Sequence, residues 1–313
     1  MPPPFGGVSV HLQRLLQKIQ NNSSLTAGVF DGRRMKLFLN KDLTISFFAT
    51  ISYFFQARII HIHLSHPVKL LVAVLSKLAG KKVLYTFHNK MKLKSFSSKM
   101  MIRLAYKTIF VADPGVLPIN GIIIPAYIHS PKTSLLPDDL REELKKYNKV
   151  IVSQNSFSGK GKVEEDIYGF DIILDAINEA TLRPDTILVL VDTNGVLRNR
   201  YYNRISELEK DKGIRILYYT HEINFPDLLV KSTVFIRATR SDGDAVSIRE
   251  ALNFGIPVLA SDCVQRPVGC ILFKSEDAKD LAKKIPDALH KGSGLHYKQS
   301  DYAEVLKELY NSI

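Results

Sequence analysis

The sequence has little cysteine, no tryptophan and no long apolar run, and these shortages exclude several classes of protein. Two cysteines, Cys263 and Cys270, are too few for a disulfide framework and lack the partners of a zinc site, so we expect reduced thiols. No apolar stretch reaches the length of about eighteen residues that a membrane-spanning helix needs. The N-terminus lacks a charged region followed by an apolar one. We therefore expect a cytoplasmic protein.

Acidic residues are missing from one long segment. Between Asp42 and Asp113 there is no Asp or Glu, whereas eleven Lys or Arg occur. Residues 1–147 hold 21 basic side chains against 7 acidic ones, so the first half carries all of the net charge of +12. This bias points to an anionic partner, either nucleic acid or an anionic membrane. Because no nucleic-acid-binding motif accompanies the charge, we expect no nucleic-acid partner.

The segment from Lys90 to Lys107 is the most basic part of that region. A helix there would place four apolar residues on one side: Leu93, Phe96, Met100 and Leu104. Basic residues surround them without any offsetting acid. We predict that this segment docks on an anionic membrane surface, the alternative being an ordinary solvated face.

Short apolar runs alternate with amphipathic segments along the chain, which predicts an α/β protein with parallel sheets. The predicted strands are 35–39, 43–48, 58–64, 82–87, 109–112, 121–125, 149–153, 186–192, 214–219, 232–236 and 257–260. The regular alternation favours two Rossmann-like halves with a cleft between them.

Residues 240–262, RSDGDAVSIREALNFGIPVLASD, lie between two of these strands. Gly243 permits a tight turn, and residues 245–254 then show helical spacing up to Gly255. The helix would direct free N–H groups and its positive dipole end at a ligand above the turn, which is typical of a phosphate site. Asp242 and Glu250 frame this turn. The alternative is that Asp242 caps the helix and Glu250 is solvated.

This motif resembles the donor-binding motif of retaining glycosyltransferases with the GT-B fold, in particular glycosyltransferase family 4. The family pattern is an acid, Gly, six residues, Glu-Ala, and later Gly-x-Pro-Val; it is met here, with Asp242 where Glu is usual. The resemblance implies that Asp242 faces donor-sugar hydroxyls and that Glu250 binds the ribose. It further implies that the turn and first helical residues hold the diphosphate: Gly243, Asp244, Ala245, Val246 and Ser247.

Two other elements resemble the same family. Gly6 and Gly7, followed by Val8, are similar to a loop that faces the donor phosphates, the alternative being a flexible terminus. His88 follows the strand 82–87 and is similar to a family His that contacts the donor sugar and its phosphate. His61 and His63 alternate and therefore share a strand face. The alternative is that they bind a metal together with His66, but no carboxylate joins them, so we interpret them as structural and expect no metal.

The resemblance implies two Rossmann-like domains facing a central cleft, with the first strand of the N-terminal domain missing. The expected boundaries are residues 1–130 for the acceptor-side domain, 131–148 for a linker, 149–296 for the donor domain, and 297–313 for a helix that crosses back. The implied activity is metal-independent, retaining hexosyl transfer from a UDP- or GDP-linked sugar to a hydroxyl of a glycan or lipid-linked glycan precursor. The implied enzyme requires no cofactor. It would attach to the inner face of the cell membrane as a peripheral protein.

The sequence departs from the family at two cations. Ser153-Gln154-Asn155 stands where the family has Gly-Arg, and Tyr168 stands where it has Lys. Because these cations stabilise the leaving diphosphate, Lys160 or Lys162 in the intervening loop is the candidate substitute. The alternative is a catalytically weakened relative that serves as a partner subunit.

Overall fold

A computed structural model describes residues 7–20, 27–31, 36–38, 44–45, 47–64, 66–88, 95–130, 136–155, 166–193, 195–291, 297 and 300–313. The chain forms two compact units. One contains Met1–His129 together with Ser300–Ile313, and the other contains Ser130–Gln299.

The first unit contains a parallel sheet and a small antiparallel one. Its elements are α1 (Gly7–Gln20), β1 (Val29–Asp31), β2 (Lys36–Phe38), β3 (Thr44–Ile45), α2 (Phe47–Gln56), β4 (Ile59–Ile62), α3 (Val68–Leu78), β5 (Lys82–Phe87), α4 (Phe96–Leu104), β6 (Lys107–Phe110) and β7 (Gly121–Ile123). Strands β4-β5-β6-β7 pair in parallel in that order, and β1-β2-β3 form the antiparallel sheet. Strand β5 is buried along five of its six residues, as a central parallel strand requires.

Two local predictions are wrong in this unit. Of the strand expected at 43–48, Thr44–Ile45 are a strand, whereas the last two residues belong to the helix Phe47–Gln56. Tertiary context has overridden the strand preference of aromatic residues. The helix expected to reach Lys107 ends at Leu104, because Ala105 is extended and Lys107 already belongs to β6.

The second unit is built on one six-stranded parallel sheet. Its elements are α5 (Asp138–Leu144), β8 (Lys149–Asn155), α6 (Phe170–Glu179), β9 (Thr186–Asp192), α7 (Arg198–Lys212), β10 (Arg215–Tyr219), α8 (Phe225–Val230), β11 (Val234–Arg237), α9 (Val246–Asn253), β12 (Val258–Ser261), β13 (Cys270–Phe273) and α10 (Ala278–Lys291). The strand order is β10-β9-β8-β11-β12-β13. Two separate apolar clusters cover the two faces of this sheet. Strands that are covered on both faces are continuous apolar runs, and all seven residues of β9 are buried.

The segments that flank the second unit contain helices that pack on defined cores. Helix α5 places Leu140 and Leu144 in the apolar cluster of the second unit, so part of the expected linker packs there. The last helix, α11 (Tyr302–Asn311), joins the first unit, where Leu306 packs in one cluster with Leu15 and Ile19 of α1.

Candidate functional site

The turn after β11 leads directly into α9, as the motif predicts. Helix α9 begins at Val246, its N-cap is Ala245, and no side chain caps it. The first hydrogen bonds back to Ala245 O come from the N–H groups of Ile248 and Arg249. The N–H groups of Val246 and Ser247 precede those bonds and lie at the positive end of the helix dipole. This end of α9 can therefore receive an anion.

Asp242 is held by two arginines. Its Oδ2 accepts from Arg237 Nε at 3.1 Å and from Arg266 Nη1 at 2.8 Å, and its Oδ1 accepts from Arg237 Nη2 at 3.1 Å. Only 9% of the Asp242 side chain is exposed, against 9% for Arg237 and 2% for Arg266. Burial alone would raise the pKa of Asp242, but the two guanidinium groups outweigh it and lower the pKa. Asp242 is therefore charged and rigidly placed.

The second acid of the turn is neutralised in the same way. Asp244 Oδ1 accepts from Arg249 Nε at 2.6 Å, and 4% of the Asp244 side chain is exposed. Three arginines therefore pair with two aspartates around the start of α9. Because both acids are paired, they repel an anion at the helix end only weakly.

Glu250 lies in α9 and is 3% exposed. The interpretation of Glu250 as a solvated helix residue is therefore wrong. The interpretation of Asp242 as the helix cap is wrong too, since Ala245 occupies that position. Both carboxylates are therefore largely enclosed, Asp242 by its arginine contacts.

The loop before α6 contacts the same turn. Gly169 has a φ of +71°, and a Cβ there would lie 2.2 Å from Ala238 O, so only glycine fits. The close approach places the Tyr168 ring 4.7 Å from Arg237 Cζ, a cation–π contact. Tyr168, at the place of the family Lys, thus orients an arginine. The candidate cations Lys160 and Lys162 lie outside the described residues, and Ser153 is buried in β8.

Four histidines cluster in the first unit. His63 Nδ1 lies 2.9 Å from His88 Nε2, and the rings of His61 and His63 are 4.1 Å apart, which confirms that these two share a face. His11 of α1 completes the group, with ring centroids 5.6 Å from His63 and 5.8 Å from His88. Tyr310 of α11 reaches the cluster through a 2.7 Å contact with His61 Nδ1.

Burial keeps these imidazoles neutral. Desolvation, followed by repulsion from the neighbouring rings, lowers the pKa of His61 to about 3 and that of His88 to about 3. Burial and its neighbouring histidines also lower the pKa of His63, and burial lowers that of His11. Among the described residues no group of three or more His, Cys, Asp or Glu has a geometry that could hold a metal ion.

Several predicted residues lie at the edge of the described part of the chain or beyond it. Gly7 is the first residue of α1, and Gly6 lies outside the described residues. Of the segment 90–107, residues 90–94 also lie outside, while Lys99 and Arg103 of α4 are exposed. Within the described ranges, no helix is long and apolar enough to cross a membrane.

Each of the two units contains a parallel sheet, and a strand, a turn and a helix surround Asp242. The protein therefore has the GT-B fold. The α/β prediction with two parallel sheets is confirmed. Residues 161–305 match the family model of glycosyl transferases group 1. No curated protein matches the chain.

Three solved structures illustrate the likeness of the fold. Anabaena Alr3699/HepE in complex with UDP-glucose is 16% identical with a TM-score of 0.61, covering 85% of this chain and 81% of that one. Trehalose-6-phosphate synthase OtsA is 12% identical with a TM-score of 0.60, covering 82% and 72%. A protein described as a UDP-N-acetylglucosamine 2-epimerase from Listeria monocytogenes is 15% identical with a TM-score of 0.53, covering 85% and 77%.

Sequence reasoning missed the arginines. Arg237 and Asp242 are five residues apart, as are Asp244 and Arg249, and this repeated spacing was the available signal. Arg266 lies 24 residues from Asp242 and reaches it only because β12 is the neighbour of β11, which no local pattern shows.

Proposed function

We propose that the protein transfers a sugar from a nucleotide diphosphate sugar, with the diphosphate at the N-terminus of α9. The observation that supports this most directly is the charge arrangement at that end: first-turn N–H groups at Val246 and Ser247, and acids paired with a larger number of arginines. Fixed donors and charges in this arrangement favour the diphosphate of a bound donor and stabilise the negative charge that grows as it departs.

The donor is a UDP- or GDP-linked sugar, and the acceptor is a hydroxyl of a glycan or lipid-linked glycan precursor. Buried Glu250 would accept from the ribose hydroxyls, and Asp242 and His88 would contact the sugar. A neutral His88 can donate one hydrogen bond and accept another, which suits sugar hydroxyls. The match to the group 1 family model favours transfer over the epimerase chemistry that the Listeria neighbour's description names.

The reaction retains anomeric configuration through attack on the face that the leaving phosphate vacates, and it needs no metal and no cofactor. The fixed arginines and helix amides take the role that a divalent ion has elsewhere. Lys160 or Lys162 would add the mobile cation. The protein acts in the cytoplasm, in polysaccharide or glycoconjugate synthesis, and the basic segment from Lys90 to Lys107 attaches it peripherally to the inner face of the membrane.

Donor binding can be tested at single N–H groups. Val246 is the first residue of α9, where proline fits the helix but lacks an N–H. We expect the wild type to gain about 2.7 kcal/mol of stability from its own donor at a hundredfold excess over Kd. Val246→Pro should lose most of this protection. Ala278→Pro, at the first residue of α10, is the matched control and should keep it.

A panel of UDP-, GDP- and ADP-sugars, followed by thermal unfolding, measures this protection. If no nucleotide sugar protects the wild type, or if Val246→Pro and Ala278→Pro behave alike, the donor site is misplaced. Protection by a donor that is never consumed in the presence of glycan acceptors would instead select the partner-subunit alternative.

A further inference from the structure

Helix α3 buries two polar residues, while five of its aliphatic side chains are largely exposed. The buried residues are Lys69, Ala73 and Ser76. Lys69 Nζ donates to Tyr85 OH at 3.0 Å, and Ser76 Oγ donates to Val72 O at 2.7 Å, so both buried polar groups are satisfied. A surface helix of a water-soluble unit has the opposite arrangement. The outer face of α3 therefore requires an explanation other than packing on its own sheet.

The outer face is one continuous stripe. Its members are aliphatic and largely exposed: Val68 at 45%, Leu71 at 58%, Val74 at 40%, Leu75 at 51% and Leu78 at 80%. Steps of three and four residues place them on one side of the helix over about 16 Å, the full length of eleven residues. Single exposed aliphatic residues are ordinary, but a contiguous patch marks an interaction surface.

Exposed basic residues occur in α3 and in the elements next to it, and together they are called the basic rim. Lys77 lies in the same helix, and Lys82 begins the next strand; both are exposed. Helix α4, which packs beside α3, adds exposed Phe96, Lys99 and Arg103. No acidic residue occurs anywhere between Asp42 and Asp113, so nothing in this part of the sequence offsets these charges.

This combination selects the occupant. A second copy of the same face would bring one basic rim against another, and nucleic acid offers no apolar surface to five aliphatic side chains. An anionic lipid surface offers both negative head groups and an acyl boundary into which aliphatic side chains can insert. We propose that the α3 stripe docks on an anionic lipid surface by inserting these side chains, with the basic rim on the head groups. This inference rests on one part of the proposed function, the attachment of the protein to a membrane.

The absence of tryptophan from the chain permits a clean reporter. Leu78→Trp places a single indole at the most exposed position of the stripe, and Val268→Trp places one at a residue of the second unit that is 83% exposed. With vesicles that contain phosphatidylglycerol, Leu78→Trp emission should shift to the blue, whereas Val268→Trp emission should not. Vesicles of phosphatidylcholine alone should leave both unchanged, and salt should reverse the shift.

Co-sedimentation tests the stripe without a reporter. Leu71→Ser/Leu75→Ser should lower the partition onto anionic vesicles by about tenfold or more, because aliphatic burial is lost. Val230→Ser/Val268→Ser, in exposed positions of the second unit, should leave it unchanged. All four side chains are exposed, so circular dichroism should show that each variant is folded, with at most a small change in melting temperature.

Three outcomes of the tryptophan experiment each overturn the proposal. These are no blue shift at position 78 on anionic vesicles, an equal shift on neutral ones, or a shift without vesicles that grows with protein concentration and so marks self-association. Donor protection is measured on the same variants in parallel. If vesicles bind as expected while no nucleotide sugar protects the protein, the docking surface stands and the proposed function falls. Normal protection without any vesicle binding overturns the docking surface and leaves the proposed sugar transfer in place.

Discussion

Replacing Asp242 with Ala should destabilise the second unit strongly, before any question of activity arises. The change would leave Arg237 and Arg266 buried, at 9% and 2% side-chain exposure, without the carboxylate that accepts three of their hydrogen bonds. Removing one partner from a buried ion pair costs about 3–5 kcal/mol, because the remaining charge is left uncompensated. Arg266→Met should cost less, about 1–3 kcal/mol, because Arg237 still pairs with Asp242.

The double variant separates pairing from simple truncation. Asp242→Ala/Arg266→Met should lose less stability than the sum of the two single changes, with a coupling of about 0.5–3 kcal/mol. Urea unfolding followed by circular dichroism measures each value, and Asp287→Ala on the exposed side of α10 is the control. A loss for Asp242→Ala within about 0.5 kcal/mol of the control would refute the structural role of the cluster.

The cluster also predicts an acid response. The pKa of Asp242 is lowered from its ordinary value of 3.8, so the folded state binds its proton less readily than the unfolded state. The resulting stability is complete above about pH 4 and is lost as the pH falls through the lowered folded-state pKa. The unfolding free energy of Asp242→Asn should therefore decline less steeply below pH 4 than that of the wild type; parallel curves would contradict this reasoning.

Two further predictions concern other parts of the chain. Burial lowers the pKa of His61 and of His88 to about 3. The stability that these neutral histidines contribute is fully present above about pH 6.5. The free energy of unfolding should therefore fall as the pH drops toward 3, by up to about 1.4 kcal/mol per histidine per pH unit. Urea unfolding at several pH values should show a shallower slope in His61→Asn, and an unchanged slope would contradict the neutral cluster. Gly169→Ala should lower the melting temperature by several degrees, because its Cβ would meet Ala238 O at 2.2 Å. Gly213 has a similar φ of +63° but open space around it, so Gly213→Ala should lower the free energy of unfolding by only about 1 kcal/mol. Equal melting temperatures for these two variants would mean that the loop of Gly169 moves freely.

The sequence was sufficient for the elements whose cause is local. Strand β9 has the bounds that its apolar run predicts, and the turn at Gly243 leads into α9 as expected. The arginines around Asp242 could not be predicted, because Arg266 meets Asp242 only after β11 and β12 pair. Likewise, the spacing of α3 predicts a helix but not which side faces the core, since both sides contain aliphatic residues.

The buried arginines also bear on the choice between an enzyme and a partner subunit. A protein that had lost all use for an anion would gain little from keeping two guanidinium groups on one carboxylate, because buried charge is usually no more stable than apolar packing of the same volume. Here Arg237 is further aligned by Tyr168, the residue that stands in place of a lysine. The positive charge near this loop lies in a rigid cluster around Asp242. A rigid charge can bind a diphosphate without reorganising, so the proposed donor binding is expected of either candidate, and turnover is the property that separates them.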